Sequence, residues 1–340
     1  MRNLSFVAIL AALTLGLYWP GAALALDIEA ARREFPKTDF ETHSVPLDEI
    51  MSGGPQRDGI RSLDDPPFHP AADLRPFLSP TEPVIGLTIG GEARAYPLRY
   101  LMFHEIANGT LGGVPVAVTY CPLCNAAIVF ERVLDGQAVE FGTTGRLRNS
   151  DLVMYDRLTE TWWQQFTGEG ILGARTGERL TMLPARLESF ENFIARVPHG
   201  TVMTPDDFRR YGRNPYVLYD DPDGRPYPMF FDGETPDGVP PMMRVAAVGG
   251  EAWSLPLLRE KGRVEAGALV LTWTEGQNSA LDKSAIPEGR DIGNVVVQRR
   301  SESGILEDTR YDITFAFVFF AFEKNGVLHG LDGEVRGLRD

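Results

Sequence analysis

Two stretches of this chain are written in nearly the same words. Residues 84–98 read VIGLTIGGEARAYPL and residues 243–257 read MRVAAVGGEAWSLPL. Gly-Gly-Glu-Ala recurs at 90–93 and 249–252, and Pro-Leu at 97–98 and 256–257. Each stretch is a short apolar run, a glycine turn and a second run, which is the pattern of a β-hairpin. A further β-rich run follows each: Val114 to Tyr120 after the first and Ala268 to Thr274 after the second. The recurrence points to an internal duplication. With 35 glycines and 25 prolines, the chain favours many short strands and turns over long helices. The expected fold is mainly β with a few short α-helices, of the α+β type, in two related β-rich halves.

Between the halves the composition shifts, and it sets the expected segments. Residues 1–25 are a signal sequence: Arg2, an apolar run from Leu4 to Tyr18, then Ala23-Leu24-Ala25 as a small-x-small cleavage site. The protein is therefore expected to be periplasmic or secreted, the alternative being an N-terminal membrane anchor. Residues 26–80 form a loop-rich extension, opened by a short polar helix within Asp27 to Phe40. Residues 81–203 form the first half, 204–241 a Pro-, Asp- and Tyr-rich excursion, and 242–340 the second half. Leu187 to Arg196 has helical spacing. Thr314 to Phe322 is only about strand length, and no segment after the signal is long enough to span a membrane. The net charge of −14 argues against nucleic acid, whose phosphates require basic patches.

The two halves differ at one corner. The first carries the only two cysteines, Cys121 and Cys124, in Tyr-Cys-Pro-Leu-Cys-Asn between the run ending at Tyr120 and the run Ile128 to Val133. That second run turns at Leu134-Asp135-Gly136-Gln137, a strong hairpin signal. The second half reads Glu275-Gly276-Gln277 at the matching place. Three readings of the cysteine pair are open. As a metal knuckle, a tight non-helical turn aims two thiolates at one point, and a soft pair with His or Met favours zinc or copper over magnesium or calcium. The candidate ligands are Cys121, Cys124, His104 and His199, with Met154 and Asp151 in reserve. As a thiol–disulfide centre, with Cys121 attacking, the pair would lack the helix N-terminus that usually lowers a thiolate pKa. As a disulfide, it would close too small a loop to constrain the unfolded chain much.

Around this corner, Arg146, Arg148 and Asp151 lie in a polar segment. Arg146 and Arg148 share a face if it is extended, and the three could hold a ligand or shape the outer shell of a metal. Trp162, Trp163 and Phe166 could line an aromatic cleft for a small ligand or a partner chain. No organic cofactor is expected, because no phosphate-binding glycine loop is present. Whether the centre catalyses a reaction or only carries metal is open.

Several of these motifs occur together in order: His104-Glu105-Ile106, Tyr120-Cys121-Pro122-Leu123-Cys124, Leu147-Arg148-Asn149-Ser150-Asp151, Met154-Tyr155-Asp156, and Trp163 to Gly168. Over residues 80–330 the chain resembles the bacterial and archaeal family catalogued as domain of unknown function 3179. Members often carry Gly after the second cysteine. Here it is Asn125, the ordinary residue that best tolerates a left-handed backbone. The resemblance strengthens the list of site residues and implies no particular reaction.

Overall fold

The structure, a computed structural model, describes residues 26–337; the expected signal segment lies outside the described residues. Five sheets of four or five short strands, with one two-stranded ribbon, hold the strands of the described residues. They are arranged as a five-bladed, propeller-like ring. The short helices connect strands, and no helix among the described residues is long and apolar enough to cross a membrane.

The glycine turns act as the sequence predicts. Pro83–Ile89 pairs antiparallel with Glu92–Pro97, and Gly90 and Gly91 both take positive φ, the conformation that a two-residue hairpin turn requires. Arg244–Val248 pairs in the same way with Glu251–Ser254. Each hairpin leads into a seven-residue helix, Leu98–His104 or Leu255–Lys261, and then into a second hairpin. Residues 187–196 divide between the strand Arg186–Ser189 and the helix Phe190–Arg196, with Ser189 as N-cap. Residues 314–322 divide similarly, into the end of the strand Asp312–Phe315 and the buried aromatic helix Ala316–Phe322. Burial on every side, not periodicity, makes this second helix, so no amphipathic pattern marks it.

Two of the five sheets share one topology over four strands, the fifth coming from before the hairpin in one and after the fourth strand in the other. One has the order Arg186–Ser189, Pro83–Ile89, Glu92–Pro97, Thr201–Met203, Phe68–Pro70. The other has the order Asp312–Phe315, Arg244–Val248, Glu251–Ser254, Val327–Gly330, Gly333–Arg336. In both, the first strand joins antiparallel and the fourth joins parallel. In both, one helix connects the first strand to the fourth. Gly200 lies under the Phe193 ring, and Gly326 lies under the Phe319 ring. The likeness is one of connectivity; common ancestry of the halves stays a proposal from the sequence.

The Pro-Leu match does not carry through. Pro97 is the N-cap of its helix, whereas Pro256 stands inside the first turn of the other. The strand Glu251–Ser254 is shorter than Glu92–Pro97, so its helix starts earlier.

Residues 204–241 contain one 3-10 turn, Phe208–Arg210, and otherwise irregular backbone laid across the ring. The Tyr219 hydroxyl donates to the Leu123 carbonyl at 2.9 Å, and Asn214 bonds the Lys283 carbonyl. This segment therefore covers the cysteine corner.

Candidate metal centre

The corner begins where the ladder must end. Strand Val114–Cys121 pairs with Ala126–Glu131 as far as Cys121 opposite Ala126. Pro122 has no N–H to extend it. The Cys124 N–H reaches the Cys121 carbonyl at 3.3 Å, the Asn125 N–H reaches Pro122 at 3.2 Å, and Asn125 takes φ 51°. This two-sulfur bend lies between strands, with no helix after it. Other parts of the chain lock it. Asn125 Nδ2 donates to the Ile313 carbonyl, and the Thr314 hydroxyl donates to the Cys124 carbonyl at 2.8 Å. The corner of one half is thus pinned by a strand of the other.

Asp151 arrives from a neighbouring sheet. Arg148 pairs with Asp151 across a two-residue turn in which Asn149 (φ 52°) and Ser150 (φ 63°) are both left-handed. The segment Leu147-Arg148-Asn149-Ser150-Asp151 is therefore a tight hairpin tip. The Ser150 carbonyl accepts the Cys121 thiol at 3.5 Å, which sets the aspartate beside the sulfurs. The two Sγ atoms and a carboxylate oxygen of Asp151 all lie within 4.8 Å of one another. Among the described residues this is the one group of three or more His, Cys, Asp or Glu side chains so close together. Both cysteines are buried and free.

Asp151 Oδ2 accepts from Gln164 Nε2 at 2.6 Å and from the Phe166 N–H at 2.8 Å. Its other oxygen, Oδ1, is buried and has no hydrogen-bond partner. Burial drives its pKa up to about 7, while Gln164, the Phe166 N–H, the Cys124 thiol and the Leu152 N–H pull the other way. Glu105 is pushed up to about 8 by burial and then by the Asp151 charge, with no cation acting against them. Burial also raises both thiols, Cys124 furthest. Four acidic groups thus meet in a low-dielectric place, and among the described residues no ion pair reaches either carboxylate. Glu105, Cys121 and Leu123 line a cavity of about 220 Å³, together with Tyr216, Tyr227 and Phe230.

His104 does not reach the sulfurs. Its Nδ1 donates to the Arg61 carbonyl at 2.7 Å and its Nε2 accepts from the Tyr211 hydroxyl at 2.6 Å. Burial lowers its pKa. The helix ends at His104, and the reversed backbone at Glu105 sends the two adjacent side chains in different directions. His199 is exposed and lies on a surface cleft beside Arg94 and Thr201. Met154 is fully buried in the core. Arg146 lines the cavity but is bound to Glu34, Pro55 and Thr144. Arg148 pairs with Glu49 and lies over the Phe322 ring. The two arginines therefore serve separate ion pairs.

Trp162 and Trp163 are core residues. Trp162 packs edge-on against Phe35 and Phe40, and Trp163 Nε1 donates to Asp156. The aromatic wall of the cavity comes instead from Tyr216, Tyr227 and Phe230 of the 204–241 segment, whose Tyr-rich composition was the available signal.

Fold and site together define a propeller-like protein in which two buried thiols and a buried carboxylate cluster beside a small cavity that Cys121 and Glu105 line. The chain belongs to the family described as Protein of unknown function (DUF3179), whose model matches residues 57–328. No curated protein and no solved structure matches it.

Proposed function

We propose that Cys121, Cys124 and Asp151 hold a divalent cation of the zinc class, with a fourth position open to the cavity. The observation that carries this reading is the clustering, within 4.8 Å of one another, of two free buried thiols and an Asp151 carboxylate that has no ion-pair partner among the described residues. A buried carboxylate without a counter-charge is costly, and a cation bound by three anionic ligands supplies the missing charge. The carboxylate is a hard donor, which favours zinc over copper(I). Three protein ligands with one open position is the pattern of catalytic zinc sites, where the metal polarises a bound oxygen or activates a water.

The raised thiol pKa values disfavour a redox role. A nucleophilic cysteine needs a stabilised thiolate, and here both sulfurs are buried with acids as neighbours. The exported setting remains the reading of residues 1–25.

Elemental analysis of protein expressed with ample metal tests the proposal. About one equivalent of zinc is expected for the wild type, and less than about a tenth for the Cys121→Ser, Cys124→Ser double variant. A wild-type content as low as that of the double variant would overturn it.

A further inference from the structure

Glu105 sits where the matched unit has glycine. The helix Leu98–His104 ends at Glu105, whose N–H bonds the Leu101 carbonyl and whose carbonyl accepts from the Tyr120 N–H. The helix Leu255–Lys261 ends at Gly262, whose N–H bonds the Leu258 carbonyl and whose carbonyl accepts from the Trp273 N–H. Tyr120 and Trp273 each stand one residue before the end of their strands, Val114–Cys121 and Leu269–Thr274. The backbone angles agree as well: φ 58°, ψ −32° at Glu105 and φ 66°, ψ −35° at Gly262.

That conformation lies outside the regions open to residues with a Cβ. It costs about 1–3 kcal/mol for anything but glycine and persists where the surroundings demand it. Glu105 adds a second cost. Its side chain is largely buried, forms no ion pair among the described residues, and lines the cavity beside Cys121. Its carboxylate is not within the tight Cys121–Cys124–Asp151 cluster. A fold that needed only a helix stop here would use glycine, as it does at Gly262.

We propose that Glu105 is the ligand-facing carboxylate of the centre: it touches the molecule that occupies the cavity next to the cation, and does not coordinate the cation itself. This rests on the metal reading above. The position suits a small ligand with a hydrogen-bond donor, since a cavity of about 220 Å³ walled by Tyr216, Tyr227 and Phe230 admits a planar group of that kind.

The test uses the full chain loaded with cobalt(II), in wild type, Glu105→Gly, Glu105→Ala and Glu105→Gln, with imidazole as the probe ligand. All four proteins are expected to take up one cobalt with the same thiolate absorption. Imidazole should bind about tenfold more weakly to the Gly and Ala variants, which lack the acceptor, and within about threefold of wild type to Gln, which keeps one. Glu105→Gly should melt above Glu105→Ala by about 2 °C or more, the reverse of the usual order of these residues. Failure of the wild type to bind cobalt would sink the metal reading itself. With wild type loaded, three results would overturn the role of Glu105: unchanged imidazole affinity in both truncations, Glu105→Ala melting at or above Glu105→Gly, or loss of cobalt from the variants.

Discussion

Two buried aspartates, Asp151 in the first half and Asp220 in the connecting segment against the second, are held in opposite ways. Asp220 and Asp151 are both fully buried. Burial pushes the Asp220 pKa up, but Arg244 and Arg290 outweigh it and hold the carboxyl below its usual value. Arg244 Nη2 lies 2.6 Å from Asp220 Oδ2 and Arg290 Nη2 lies 2.8 Å from it, while the Ser279 hydroxyl donates to the same oxygen. Asp151 has hydrogen bonds but no arginine, and its pKa rises to about 7. Asp220 carries its own counter-charge; the Asp151 cluster does not, and on our reading takes it from a metal.

The place of the two clusters sharpens this contrast. Both gather near the end of the second hairpin of their unit. In one, a four-residue corner, 122–125, joins Val114–Cys121 to Ala126–Glu131. In the other, residues 275–293 join Leu269–Thr274 to Asn294–Arg300. That longer connection brings Ser279 and Arg290, which bond Asp220, and Asp282, which bonds Arg290. One topology thus supports a charge-balanced structural network and a corner short of positive charge.

The largest expected effect is on the balanced side. Asp220→Ala leaves Arg244 and Arg290 uncompensated and should cost about 3–5 kcal/mol in urea unfolding. Asp151→Asn in metal-free protein should cost less than about 1 kcal/mol or stabilise, because it removes an unpaired acid. If the two costs are reversed, the comparison fails.

Next comes pH. Asp151 and Glu105 have folded pKa values near 7 and 8, above those of the unfolded chain, so the folded state binds more protons. Their contribution is present in full below about pH 4 and is lost as pH rises through 7 and 8. Metal-free protein should therefore lose on the order of 2–4 kcal/mol between pH 6 and pH 8. Saturating zinc should remove or invert that slope. A metal-free chain that gains stability over the same range would show that these acids are already compensated.

Gly262→Ala should cost about 1 kcal/mol in chemical denaturation, since alanine there meets the strain that Glu105 already bears. The smallest effect is expected at His104. His104→Gln should leave zinc content within about twofold of wild type, because both ring nitrogens are engaged by Arg61 and Tyr211. A loss of metal in this variant would return His104 to the ligand set.

What was legible in the sequence follows the range of each signal. Turns are local, so Gly90-Gly91, Asp135-Gly136 and the bend at Cys121 to Asn125 were readable as turns, and Asn125 does take the left-handed conformation. Asp151 was named, though only for the outer shell or as a reserve ligand, because the Asn149-Ser150 tip that delivers it is two ordinary polar residues. In the sequence His104 stands out as a ligand type and Glu105 beside it does not. A helix end gives no sign in composition of which neighbour turns inward, and the comparison with Gly262 needs a register that shifts after the first hairpin. The aromatic wall was missed because Tyr216, Tyr227 and Phe230 come from a segment with almost no regular structure. The buried helix Ala316–Phe322 is apolar on all sides, so it has no periodicity to read.

The most direct test of the cation at Cys121, Cys124 and Asp151 is a calorimetric titration of zinc into metal-free protein near pH 7, repeated in buffers of different ionisation enthalpy. Zinc must displace the thiol protons that burial retains, so one zinc per chain with release of about two protons is the expected result. Absence of binding, or binding that is undiminished when both cysteines are serine, would contradict the account.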